Sequence, residues 1–108
     1  NVSQGAFLNM PLYEVTNVST TILDLKKNDH WVIGIENSIE ASLWSKLDYT
    51  GNIAIVFGSE GKGIRKKVIE HCDFLGNIPM QGDVNSLNVS AAVSAILFER
   101  LRQIKFKG

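Results

Sequence analysis

The sequence predicts an α/β domain on a mainly parallel sheet, with helices on both faces. Three observations carry that prediction. Trp31-Val32-Ile33-Gly34-Ile35 and Asn52-Ile53-Ala54-Ile55-Val56-Phe57 are compact apolar runs of strand length, suited to strands buried on both faces. Helical spacing of apolar residues follows the second run and returns near the end of the chain. Strands alternating with helices imply crossover connections, and these set neighbouring strands parallel.

The elements follow in order. Residues 1–12 turn from polar to small to apolar around Pro11 and suit a connector entering the domain. Ser19 or Thr20 is placed to cap a short helix over 22–27. The first strand is 31–35. A helical turn is expected over 41–47 within a mixed segment. The run 52–57 is the clearest strand, β-branched and bounded by Gly51 and Gly58. Ile64, Val68, Ile69 and Cys72 share one face of a helix over 64–72. Residues 74–78 form another strand, stopped by Pro79, and 82–85 a polar turn. The last helix covers 88–103, with Val89, Ala92, Val93, Ile96, Leu97, Arg100 and Leu101 at helical spacing and Phe98 widening the apolar arc. Ser86 or Asn88 is its natural N-cap.

Composition narrows the function classes. A chain of 108 residues with 44% hydrophobic and 20% charged residues fits one core. Eleven Lys+Arg balance eleven Asp+Glu, so any polyanion contact must be a local patch. One cysteine, Cys72, excludes an internal disulfide and a multi-cysteine zinc site, and its apolar neighbours favour a buried, unreactive thiol. No metal site is expected. No stretch reaches the roughly 20 apolar residues of a membrane span. The first residues show no basic start with an apolar run, so the Asn-Val-Ser triplets at Asn1, Asn17 and Asn88 are not taken as glycosylation sites. A cytoplasmic location is expected, or an organellar one if a targeting segment was removed.

Ligands of open parallel sheets bind beyond the carboxyl ends of the strands. Residues 58–63 and 79–88 both follow strands and are expected to meet there. Gly58-Ser59-Glu60-Gly61-Lys62-Gly63 is not a nucleotide phosphate loop, because Ile64 and Arg65 stand where Lys and Ser or Thr are needed. The dinucleotide pattern fails as well, with Lys66 in place of its third glycine. Three glycines also serve simply to turn a strand into a helix. Glu60 tilts the balance: a carboxylate among glycines repels phosphate and suits a cationic or donor-rich ligand, although acids at helix starts are common.

Three stretches together resemble the SpoU methyltransferases, the ribose-methylating branch of the knotted SPOUT superfamily. They are Ile55-Val56-Phe57-Gly58-Ser59-Glu60-Gly61-Lys62-Gly63-Ile64, then Cys72-Asp73-Phe74 leading to Ile78-Pro79-Met80-Gln81-Gly82, then Ser86-Leu87-Asn88-Val89-Ser90. They match the family's second and third motifs, and Val2 to Ala6 and Trp31 to Gly34 fit too. The resemblance implies that residues 1–108 are the C-terminal, cofactor-binding portion of a SpoU domain with a trefoil-knotted α/β fold, its first motif absent. It implies S-adenosyl-L-methionine as methyl donor, RNA as substrate (ribosomal RNA, its guanosine branch above all, or transfer RNA) and a homodimer packed through the last helix and the knot.

Residue by residue, the resemblance assigns cofactor contacts to Gly58, Ile78 and Leu87, completed by Glu60, Gly61, Met80 and Asn88. Glycine lets backbone groups approach a ligand closely, and Ile78, Met80 and Leu87 offer an apolar slot. Ile78 and Leu87 also suit plain core. Methyl transfer to a ribose hydroxyl is an in-line displacement that needs alignment and removal of the hydroxyl proton. The family assigns much of this to an Asn and an Arg of its first motif, and no residue here matches them. Glu60, Ser86 and Asn88 remain as catalytic-site candidates: Glu60 to position the loop, Ser86 and Asn88 to bond the cofactor or target nucleotide, or only to cap the helix. His30 and His71 match no motif. Lys62, Arg65, Lys66 and Lys67, and separately Arg100, Arg102, Lys105 and Lys107, are candidate phosphate contacts or merely solvated faces. The alternative function is a catalytically incomplete fragment that binds cofactor or RNA, or dimerises.

Overall fold

The computed structural model describes residues 17–36, 41–58, 64–79 and 86–106. The elements are α1 (Val18–Lys27), β1 (Trp31–Ile35), β2 (Ser42–Leu43), a 3-10 turn (Trp44–Lys46), β3 (Ile53–Phe57), α2 (Lys66–His71), β4 (Phe74–Asn77) and α3 (Ser86–Phe106). The four strands form one sheet in the order β2-β4-β1-β3, and every pairing is parallel. The α/β class and parallel sheet expected from the apolar runs are therefore present.

Strand alternation splits the core in two. Val32 packs with Ile22, Ile64 and Val68 beneath α1 and α2, joined by Ala54, Val56 and Cys72. Ile33 and Ile35 point the other way, toward Tyr49 and Ile96 of α3, joined by Ile53, Ile55, Phe57 and Ile78. Helices thus cover both faces, which explains why β1 reads as one unbroken apolar run. Gly34 is required by crowding: a Cβ there would stand 2.9 Å from the Cys72 sulfur and 3.3 Å from Ile64.

Several boundaries differ from expectation. α1 begins at Val18, four residues before the predicted start, because Asn17 is the N-cap and its side chain accepts from the Thr20 amide at 3.0 Å. The segment predicted as a helical turn holds the two-residue strand β2 before the 3-10 turn. α3 runs from Ser86 to Phe106, so Ser86 and Asn88 lie within its first turn and the cap position falls outside the described residues. Phe98, which widens the apolar arc of α3, is 52% exposed. Among the described residues no helix is long and apolar enough to cross a membrane.

Candidate functional site

The register sets the carboxyl ends of three strands level. Ile35 pairs with Phe57 on one side and Gly76 on the other. The next row is therefore Gly58, Glu36 and Asn77, and the Glu36 amide donates to the Gly76 carbonyl at 2.9 Å, carrying the ladder one residue past β1. Strands lie about 4.8 Å apart, so Gly58 and Asn77 stand roughly 10 Å apart with Glu36 between them. Ile78 follows Asn77 and turns back into the α3-side core. Its side chain serves as core there, the bland role named beside the functional one.

Of the positions singled out from sequence, Gly58 and Ile78 lie just past the ends of β3 and β4, and Ser86, Leu87 and Asn88 form the first turn of α3. Glu60, Gly61 and Met80 lie outside the described residues. Glu36 and Asn77 were not singled out by sequence. Asn77 carries the one buried side-chain polar atom without a hydrogen-bond partner among the described residues, its Oδ1. Nothing in a linear pattern signals this; it emerges only once the register puts Asn77 beside Glu36.

The remaining candidates sort by location. Arg65, Lys66 and Lys67 are exposed at the start of α2. Lys62 and Lys107 lie outside the described residues. Arg100 is a structural cation: its guanidinium donates to the carbonyls of Tyr49 and, at 2.8 Å, Gly51. Arg102 is paired with Glu99 at 2.8 Å. Of the second basic cluster, then, Arg100 is engaged by the fold, while Arg102 forms an exposed ion pair along α3 and Lys105 is exposed. His30 and His71 flank the starts of β1 and β4, the edge away from Gly58 and Ile78. The Cys72 thiol donates to the Val68 carbonyl at 3.4 Å, and burial, with the neighbouring Asp73 carboxylate, pushes its pKa up, so it is a packing thiol. A shallow open groove lined by Lys46, Asp48, Thr50, Arg102 and Gln103 lies beside the end of α3, not at the strand ends. Several of its polar groups are already engaged: Thr50 donates to Asp48, Gln103 donates to the Leu47 carbonyl and Arg102 pairs with Glu99.

Comparison with known proteins adds to this geometry. Residues 1–98 match the SpoU rRNA Methylase family. The 23S rRNA (guanosine-2'-O-)-methyltransferase RlmB of Xylella fastidiosa (strain Temecula1) is 45% identical over 101 residues, covering 94% of this chain and 40% of that protein. RlmB of Pseudomonas putida is 42% identical over 106 residues, covering 98% of this chain and 42% of that protein. The crystal structure of the A. aeolicus TrmH/SpoU tRNA modifying enzyme superposes with a TM-score of 0.71 at 34% identity, over 87% of this chain and 48% of that one. The SpoU methyltransferase AviRb from Streptomyces viridochromogenes, solved in complex with AdoMet, gives 0.60 at 25% identity, over 80% of this chain and 35% of that one. The chain spans less than half the length of the curated relatives it matches.

Proposed function

The chain belongs to the SpoU rRNA methylase family, and from that premise we propose that the protein takes part in S-adenosylmethionine-dependent 2'-O-methylation of RNA, with a ribosomal-RNA guanosine as target. The observation that carries the proposal is the row of strand ends: Gly58 and Ile78, two of the cofactor positions implied by the family motifs, flank one sheet edge at the place where parallel sheets bind ligands. The residues present suit such a ligand. Gly58 leaves its backbone open to close approach, and Ile78, whose side chain packs into the α3-side core, offers its backbone on the far side of Glu36. The bound donor supplies an electrophilic methyl carbon.

In this proposal Gly58, Glu60, Gly61, Ile78, Met80, Leu87 and Asn88 hold the methyl donor. Glu60 positions the glycine turn, and Ser86 and Asn88 bond the cofactor or the target ribose. Exposed Arg65, Lys66 and Lys67 at the start of α2 supply phosphate contacts. The SPOUT-type trefoil knot, a homodimer packed through α3, assignment of residues 1–108 to the cofactor-binding portion of the domain, and a cytoplasmic location are part of the same proposal. The fragment that binds without turning over is the alternative.

Calorimetry with S-adenosylmethionine tests the cofactor site, with Leu87→Trp as the blocked variant. One site per chain is expected, lost in the variant without loss of fold. A folded chain that binds no donor sinks the assignment. Transfer of labelled methyl groups to RNA by this chain alone, against the same chain within the longer protein, then separates enzyme from binding fragment.

A further inference from the structure

Glu36 and Asn77 have no role in the family motifs, yet they occupy the centre of the candidate site. Their side chains leave the sheet on the same face. Gly76 pairs with Ile35, and a Cβ on Gly76 would point at Leu47, Ile35 and Trp44 on the α3 side. The next residue along each strand, Glu36 and Asn77, therefore turns to the opposite face. On adjacent strands, about 4.8 Å apart, they set a carboxylate beside a carboxamide oxygen.

That oxygen has lost its water without gaining a donor among the described residues. A buried acceptor left unpaired costs free energy, and an adjacent carboxylate makes the local environment still richer in acceptors. Glycine at the third place in the row, Gly58, adds no side chain to fill the space. The missing group must bring N–H donors and suits a positive charge. A primary ammonium does both, with three donors on one cation.

We propose that Glu36 and Asn77 together bind the α-ammonium of the amino-acid tail of the S-adenosyl donor. This rests on the cofactor assignment above and adds the two residues that orient the tail. Glu36 supplies the charge and Asn77 the second acceptor. Because the ammonium survives methyl transfer, the contact is equal in donor and by-product, and S-adenosylhomocysteine is a suitable probe.

The test is a cycle between protein and ligand. Calorimetry on the 108-residue chain compares S-adenosylhomocysteine with its deamino analogue, in which hydrogen replaces the ammonium. The wild type is expected to bind the analogue about tenfold or more weakly, the worth of a charge-assisted hydrogen bond. Glu36→Gln and Asn77→Leu are each expected to weaken S-adenosylhomocysteine by about tenfold and to leave the analogue within about threefold. Asn77→Ala guards against a leucine that does not fit. Free Asn77→Leu or Asn77→Ala should keep or raise the thermal midpoint, since no chain partner is lost. Equal weakening of both ligands, or a lowered midpoint with unchanged affinity, overturns the inference and makes Asn77 a structural residue. If the wild type binds both ligands equally, this inference alone falls. If it binds neither, the cofactor assignment falls with it.

Discussion

The two edges of the sheet are built differently. At the amino-terminal edge, side chains hold backbone. Asp73 accepts from the Val32 amide at 2.8 Å while its own amide donates to the Val32 carbonyl, and Lys26 closes on Asp73 at 3.3 Å. Across the sheet, Gln103 of α3 accepts from the Tyr49 amide and donates to the Leu47 carbonyl, both at 2.8 Å, and Arg100 holds Tyr49 and Gly51. Tyr49 is fully buried, its hydroxyl donating to the Trp44 carbonyl at 2.5 Å. At the carboxyl edge the described residues offer a glycine, a carboxylate and an unpaired amide oxygen. One edge has its polar groups satisfied by the chain; the other leaves acceptors for something else. A site placed on strands fixed at their far end stays in register while its own edge remains open.

This contrast predicts a graded response. Arg100→Ala should cost most, about 3 kcal/mol in urea unfolding, because charge-assisted bonds to two carbonyls disappear and the part-buried Tyr49 acceptor is left behind. A loss under about 0.5 kcal/mol, the range of ordinary surface substitutions, would show that Arg100 is a solvated cation after all. Asp73→Ala should follow at about 2 kcal/mol, since the Val32 amide loses its side-chain acceptor beneath the sheet. Its effect should be equal with and without bound donor, because the clamp is at the other edge.

The smallest effects are those of pH, and both sit at the anchored edge. Hydrogen bonds from Arg102, then Gln103, hold the Glu99 carboxyl down to about 2. An unfolded Glu titrates near about 4.3, so the unfolded chain binds more protons between these values and stability falls as pH drops through that window. Burial, then the Glu99 charge, pushes the Tyr49 hydroxyl up to about 12. An unfolded Tyr titrates near about 10, so the folded chain keeps the proton longer and stability falls as pH rises from about 10 to 12. Unfolding midpoints against pH should show a plateau between these limbs. Tyr49→Phe should shrink the alkaline limb and leave the part due to the Cys72 thiol, whose pKa burial also raises; an unchanged limb would show that Tyr49 does not contribute.

Much of the fold was legible because its signals are local. β1 and β3 are apolar runs, and the Ile64, Val68, Cys72 spacing located α2. β2 was not legible, because two residues become a strand only by pairing with Gly76 and Asn77 far along the chain. The start of α1 was missed because Asn17 was weighed as a glycosylation triplet rather than as a cap. At the candidate site, Gly58 and Ile78 are proposed from motif and placement. Glu36 and Asn77 were not legible, since an acceptor pair across two strands exists only after the register is known. Arg100 shows the reverse: its charge suggested a partner outside the chain, and the fold supplies one inside.

The most direct test of the division between edges is an amide NMR titration of the chain with S-adenosylmethionine. Shifts should gather at Glu36, Phe57, Gly58, Asn77, Ile78 and the first turn of α3, while the amides of Val32, Tyr49 and Asp73 stay in place. Binding that moves the Val32, Tyr49 and Asp73 amides and leaves the strand ends untouched would contradict the account.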